Sequence, residues 1–206
     1  MTRPVINTGL GGQDTVVLLR PSEESDTSRS EQTVADVEQL LQEVEPAAEC
    51  NTTRVSTGSF EATMRECCDV LSSIPAEREV TVSLGGGARD VLLPLTVTAL
   101  VFAGQIDRAL FFSDLDSTVQ EWTLPNLTAQ VPDRTLETFE TIFTGDEWLS
   151  LSTIADETGQ SKSTVVRHVN DLEDAGIVEA DANARAKQVR INSTGELLWL
   201  ARNLSF

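Results

Sequence analysis

One stretch constrains the fold of this chain more than any other: residues 149–178, LSLSTIADETGQSKSTVVRHVNDLEDAGIV. Apolar residues stand at Leu151, Ile154 and Ala155, and again at Val165, Val169 and Leu172. Each set has the three- to four-residue spacing of a helix with one buried face. Between them lies Thr158-Gly159-Gln160, where glycine can take the positive φ of a tight turn. Ser161 is placed to cap the second helix, and Gly176 to end it in a left-handed conformation. Two short helices, a glycine turn and a second helix capped at both ends predict a helix-turn-helix.

The residues after Gly176 extend the motif. Ile177-Val178-Glu179 and Gln188-Val189-Arg190-Ile191 predict two short strands, and the loop 181–187 between them carries Arg185 and Lys187. A strand pair with a basic loop is a wing. The run Ser-Lys-Ser-Thr-Val-Val-Arg-His, then Leu172, Ala175-Gly176 and Ile177-Val178, resembles prokaryotic winged-helix transcription regulators over residues 134–202. The resemblance implies double-stranded DNA as partner; a winged helix used only for protein contacts is the alternative. With Val165, Val169 and Leu172 turned inward, Ser161, Lys162, Ser163, Thr164, Arg167 and His168 are expected to face DNA. Arg167 is the candidate for a base edge, because its planar fork matches guanine. Arg185, Lys187 and Arg190 are expected to contact phosphate from the wing.

Charge runs against that partner at first sight. The net charge is −18, with 33 acidic residues against 15 basic ones. Lys162 and Lys187 are the only lysines, and both fall in the winged helix. An acidic, lysine-poor chain rich in Ala, Thr and Val resembles haloarchaeal cytosolic proteins in composition. Molar salt there screens charges beyond about 3 Å, so net charge speaks to solubility rather than to partners. Cys50, Cys67 and Cys68 have no zinc-binding spacing, and His168 is the sole histidine. Free thiols in a reducing cytoplasm, with no metal and no cofactor, are expected. No apolar run approaches the ~20 residues of a membrane span, and no signal peptide is visible. A soluble cytoplasmic protein without a membrane partner is the expectation.

The first two-thirds alternates strand and helix. Strands are expected at 15–19, 52–55, 79–84, 109–113 and 118–124, and helices at 33–44, 59–74 and 91–102. Residues 91–102 are almost wholly apolar, which predicts a helix buried against both sheet and partner. The order reads as an α/β domain: a Rossmann-like, open, mostly parallel sheet over 1–125, a connector at 126–133, and the winged helix over 134–206. The opening is unusual, because 3–10 reads as the tail of a helix. A first strand and loop upstream of Met1 are therefore expected to be missing. The alternative makes Arg3 to Ile6 that strand.

Candidate chemistry in this domain sits at Ser83-Leu84-Gly85-Gly86-Gly87-Ala88-Arg89, where a strand runs through three glycines into a helix. Glycines let backbone approach a ligand closely, and a helix N-terminus favours anions. Arg89 can add a bidentate phosphate contact. The turn is neither a Walker A loop nor a G-x-G-x-x-G fingerprint, and by spacing alone it reads equally as a tight turn. It resembles the turn of the CARF–winged-helix regulators associated with archaeal CRISPR loci, in which a hydroxyl-Gly-Gly-hydroxyl-basic motif ends a strand. The resemblance extends through 105–112 and the winged helix. It implies a homodimer on a palindromic operator, with a cyclic oligoadenylate bound across the two-fold by Ser83, Gly85, Gly86, Gly87, Ala88 and Arg89. Gly85 and Ala88 depart from the motif, standing where Ser or Thr is expected.

Two other functions stay in view. An enzyme, such as a ring nuclease, needs an acid, base or metal at the strand ends. Asp90 and Arg89 are the only candidates near the turn, and Asp114 and Asp116 follow another strand as an undistinguished acidic pair, so no catalytic residue is expected. A domain that only dimerises is the third reading.

Overall fold

The computed structural model describes residues 9–22, 28–113, 118–145, 147–181 and 187–203. The chain divides into two compact units, Met1–Thr123 and Leu124–Phe206.

The first unit is α/β. Strand β1 (Thr15–Pro21) pairs in parallel with β2 (Glu49–Val55), from Thr15 opposite Glu49 to Pro21 opposite Val55. Helix α1 (Ser28–Val44) makes the crossover, burying Val37 and Leu41 against Ala48, Val16, Leu18 and Cys50. Helix α2 (Phe60–Ser72) starts at Ser59, whose Oγ accepts the Ala62 N–H at 3.2 Å. That bond satisfies one of the unpaired donors of a first helical turn. Strand β3 (Thr81–Ser83) pairs in parallel with β4 (Arg108–Phe112) across helix α3 (Arg89–Val101), and β5 (Val119–Trp122) adds antiparallel to β4.

Among the described residues these strands form two sheets, β1–β2 and β3–β4–β5, rather than one. The expectations placed on Arg3 to Ile6, on the start of the 3–10 stretch, and on Asp114 and Asp116 lie outside the described residues. Helix α3 is covered on one side only within the single chain. Val91, Pro94, Thr98 and Ala99 are buried, but Leu93 is 58% exposed. Its apolar residues exceed what one packed face can cover. The buried side meets α2, where Cys68 Sγ lies 3.8 Å from Thr98 Oγ1. All three cysteines are free thiols. Burial, with Cys68 next in importance, pushes the Cys67 thiol up to about 11, so it stays protonated and unreactive near neutral pH.

The second unit is a winged helix. Helix α4 (Leu136–Thr144) is followed by β6 (Leu149–Ser150), α5 (Leu151–Thr158), α6 (Lys162–Asp174), β7 (Val178–Asp181), β8 (Gln188–Ile191) and α7 (Ser193–Asn203). The sheet order is β6–β8–β7, antiparallel throughout. Phe139, Ile142, Ile154, Val165, Val169, Leu172, Ile177 and Val189 form the core. Trp199 of α7 covers it by stacking on Phe143, with ring centroids 4.3 Å apart.

The local signals in the sequence hold here. Gly159 and Gly176 take φ of 69° and 68°. Ser161 Oγ accepts the Thr164 N–H at 3.2 Å, and Ile177 N–H donates back to the Leu172 carbonyl at 2.9 Å. The expected connector at 126–133 is corrected: it belongs to this unit. Ala129 and Val131 pack on its core, and the Asn126 N–H donates to Thr194 Oγ1 at 3.0 Å. Apolar contacts and a hydrogen bond from backbone to the Thr194 hydroxyl anchor the segment, which a connector would lack.

No described helix is long and apolar enough to cross a membrane.

Candidate nucleic-acid interface and candidate ligand turn

The sequence of α6 sorts its residues by face. Val165, Val169 and Leu172 are fully buried, as their spacing requires. Lys162, Ser163, Val166, Arg167 and Asn170 are exposed. Ser161 and Thr164 are partly committed to the helix start, with their hydroxyl oxygens 2.8 Å apart.

His168 is a correction. It was expected to face DNA, but it is only 5% exposed. Position 168 is three residues from Val165 and four from Leu172, so it falls on the inner stripe. Its Nδ1 shares a 3.0 Å hydrogen bond with Thr138 Oγ1 of α4. The Thr138 hydroxyl also reaches Gln160 Oε1 at 3.3 Å, and Gln160 Nε2 donates to Glu137 Oε2 at 2.7 Å. This network ties α4 to the turn and to α6, which sets the angle at which α6 is presented. The same spacing rule that found the valines could have assigned this histidine to the core.

Burial, and then the Arg167 charge, hold the imidazole below its ordinary value; Arg134 acts the same way, while Asp171 and Glu137 oppose. The unfolded chain, at about 6.5, therefore takes up the proton more readily than the folded one. Stability from this group is complete above that value and falls as the pH drops towards the folded-state pKa. The urea midpoint of the winged-helix transition is expected to fall between pH 7.5 and pH 5.5. In His168→Gln the fall should be smaller; an equal fall in both proteins would assign it to other groups.

Of the three wing cations, the two described ones are ion-paired within the unit. Arg185 lies outside the described residues. Lys187 Nζ donates to Glu173 Oε2 at 2.8 Å and to Asn170 Oδ1 at 3.2 Å, both on α6. Arg190 donates through Nε to Glu179 and through Nη1 to Glu147 Oε1 at 3.0 Å, and its guanidinium lies 4.5 Å over the Trp148 ring. Neither side chain is held as a bare cation awaiting phosphate. Sequence spacing could not show this, since Glu147 is far from Arg190 in the chain. A further pair, Arg134 to Asp171 at 3.0 Å, fastens the start of α4 to α6. The Arg134 hydrogen bond keeps the Asp171 carboxyl below its usual value.

In the first unit the glycine turn is built by close approach. Leu84 N–H extends the β3–β4 ladder to the Leu110 carbonyl at 2.7 Å. A Cβ on Gly85 would lie 2.7 Å from Phe112 N, so no side chain fits there. Gly86 and Gly87 have φ of 90° and 101°, which L-residues rarely adopt. Ser83, Gly86, Gly87, Ala88 and Arg89 are exposed, and Ala88 offers no side-chain cap to α3. Asp90 in the first turn favours the helix but opposes an anion. A cavity of about 270 Å³, lined by Leu71, Ile74, Phe102, Ile106 and Asp107, lies at the opposite end of β3 from the turn. Among the described residues no cluster of three His, Cys, Asp or Glu could hold a metal ion.

A helix-turn-helix braced by a third helix and an antiparallel wing defines the class of winged-helix DNA-binding domains. Residues 131–182 match the IclR helix-turn-helix domain. Fold and match together support a DNA-binding transcriptional regulator. No curated protein matches the chain. Among solved structures, Can2 from Sulfobacillus thermosulfidooxidans, in complex with cyclic tetra-adenylate, is similar over 94% of this chain at 14% identity, with a TM-score of 0.43. Protein VC1899 from Vibrio cholerae is similar over 93% at 12% identity, with a TM-score of 0.38. The chain spans 57% and 58% of those two chains. At this level of similarity neither assigns a ligand to it.

Proposed function

We propose that the chain is a dimeric, ligand-responsive transcriptional regulator of the kind associated with archaeal CRISPR loci, without enzymatic activity. Its winged helix binds a palindromic DNA operator through α6. Its first unit takes a cyclic oligoadenylate through Ser83, Gly85, Gly86, Gly87, Ala88 and Arg89. The observation that carries the DNA part is the exposed polar face of α6, with Arg167 one residue before a histidine locked in the core. The ligand part is supported by the exposed double-glycine turn at the uncapped start of α3, and by its likeness to the CARF motif.

In a dimer, two turns and two Arg89 side chains facing the symmetry axis supply backbone donors and positive charge for a cyclic phosphodiester. By sequence the turn itself carries Asp90 and Arg89 but no histidine or cysteine, and binding without cleavage is the reading proposed here. The acidic, lysine-poor composition calls for molar salt in any assay. Titration calorimetry with cyclic tetra-adenylate in molar potassium chloride is the test. One ligand per two chains, unchanged after incubation, is expected. Arg89→Ala and Gly86→Val should each remove the heat, by removing charge and by straining the turn. Cleavage products would identify a ring nuclease. No heat with the unaltered protein would leave a dimerisation domain.

For the DNA face, Arg167→Ala is expected to weaken operator binding by about 1–3 kcal/mol and to relax preference at one base pair. Equal affinity and selectivity in fluorescence anisotropy at matched salt would remove Arg167 from the reading surface.

A further inference from the structure

The exposed face of α6 carries two residues that the regulator reading does not use. Val166 is 37% exposed, an apolar β-branched side chain amid polar neighbours. Asn170 stands one turn later on the same face, also exposed. Four residues along a helix advance about 6 Å, which is within two base-pair steps of about 3.4 Å. Arg167 lies beside both.

Asn170 is held in one orientation from outside its own helix. Lys187 Nζ reaches across from the wing to Asn170 Oδ1 at 3.2 Å and is anchored by Glu173 Oε2 at 2.8 Å. An ammonium only donates, so the atom facing it must be the amide oxygen rather than the nitrogen. That settles the amide orientation. The oxygen keeps a second lone pair, and the NH2 is directed away from the lysine. The outward edge of Asn170 thus presents an acceptor beside a donor. In the major groove adenine offers the complement, its N6 amino group beside N7. Guanine presents two acceptors there, one of which would oppose the amide oxygen.

Resting on the DNA-binding reading, we propose that Asn170 reads an adenine and Val166 packs on a nearby thymine methyl, with Lys187 as the positioning residue that orients the Asn170 amide. Lys187 and Glu173 neutralise each other, so this lysine sets base preference and contributes little to phosphate attraction. The target carries A·T pairs next to the pair read by Arg167.

The experiment starts from a randomised DNA duplex pool selected by the full chain. Single adenines in the recovered duplex are then replaced by 7-deazaadenine, and single thymines by uracil. At one adenine the 7-deaza change should weaken the unaltered protein roughly 5- to 100-fold and leave Asn170→Ala unaffected. At one thymine, uracil should weaken it about fourfold, the worth of one buried methyl group, and leave Val166→Ala unaffected. Lys187→Met should lose discrimination at the same adenine, with the dependence of affinity on salt unchanged. The modified bases probe the unaltered protein directly, and each variant is read only where it still binds the unmodified duplex, which shows that it is folded. Retained sensitivity in Asn170→Ala and Val166→Ala would overturn the proposal while DNA binding stands. A Lys187→Met variant with full discrimination and a salt slope lower by about one unit would make Lys187 a phosphate contact and overturn its positioning role. Failure of the unaltered protein to enrich any duplex would overturn both this assignment and the DNA-binding reading.

Discussion

Phe139→Ala is expected to destabilise the winged-helix unit by about 3–5 kcal/mol, the cost of emptying a large buried aromatic site. Phe139 is fully buried at the centre of the core, among the helices that carry the turn and the wing strand. Its ring lies 6.2 Å from that of Trp199, which is itself stacked on Phe143, so the cavity opens beneath the cover supplied by α7. Two neighbours of Phe139 in sequence belong to the network that orients α6: Thr138 touches His168, and Glu137 accepts from Gln160. Loss of the ring should therefore weaken DNA binding even where the variant remains folded. Denaturant unfolding followed by tryptophan fluorescence measures the effect, because Trp148 and Trp199 both report on this unit. A loss below about 1 kcal/mol would mean that the core closes around the gap far better than such cores do.

Gly85→Val should be the most damaging single change in the first unit. Even the first added carbon would stand 2.7 Å from Phe112 N and 2.8 Å from Phe112 Cβ, and the former is backbone that cannot swing aside. Overpacking typically costs about 1–3 kcal/mol, and a branched side chain against a strand should reach the top of that range. The β3–β4 ladder, which ends with Leu84 on Leu110 at this point, has to part or the glycine turn has to move. Either outcome displaces Gly86, Gly87 and Arg89. Gly104→Ala serves as the control, since a carbon added there meets nothing within 4 Å. Circular dichroism melts should show a lowered midpoint for Gly85→Val alone. Matching midpoints in the two variants would refute the close approach.

The two predictions draw on different kinds of legibility. Ser59, Ser161, Gly159 and Gly176 could be read in advance because a cap or a left-handed turn depends on a few adjacent residues. The valines and leucine of α6 could be read because a helical period places them on one side wherever the helix docks. Strand β6 could not, as two residues carry no pattern and its partner Val189 lies on the far side of the helix-turn-helix. Nor could the exposure of Leu93, which depends on how much surface the neighbouring helix and sheet leave to cover.

The sequence by itself determined the winged helix, the α/β character of the first unit and the position of the glycine turn. Each follows from bonds and periods that span a few residues and are indifferent to the rest of the chain. The tertiary structure decided which charged and polar side chains are held by other groups. It buried His168 on Thr138, put Lys187 on Asn170 and Glu173, and set Arg190 between Glu179, Glu147 and the Trp148 ring. It also exposed Val166 and Asn170 side by side. A basic residue in a wing has the same sequence whether it meets phosphate or carboxylate. Its partner is chosen by what the fold brings within about 3 Å of it, and that depends on segments distant in the chain.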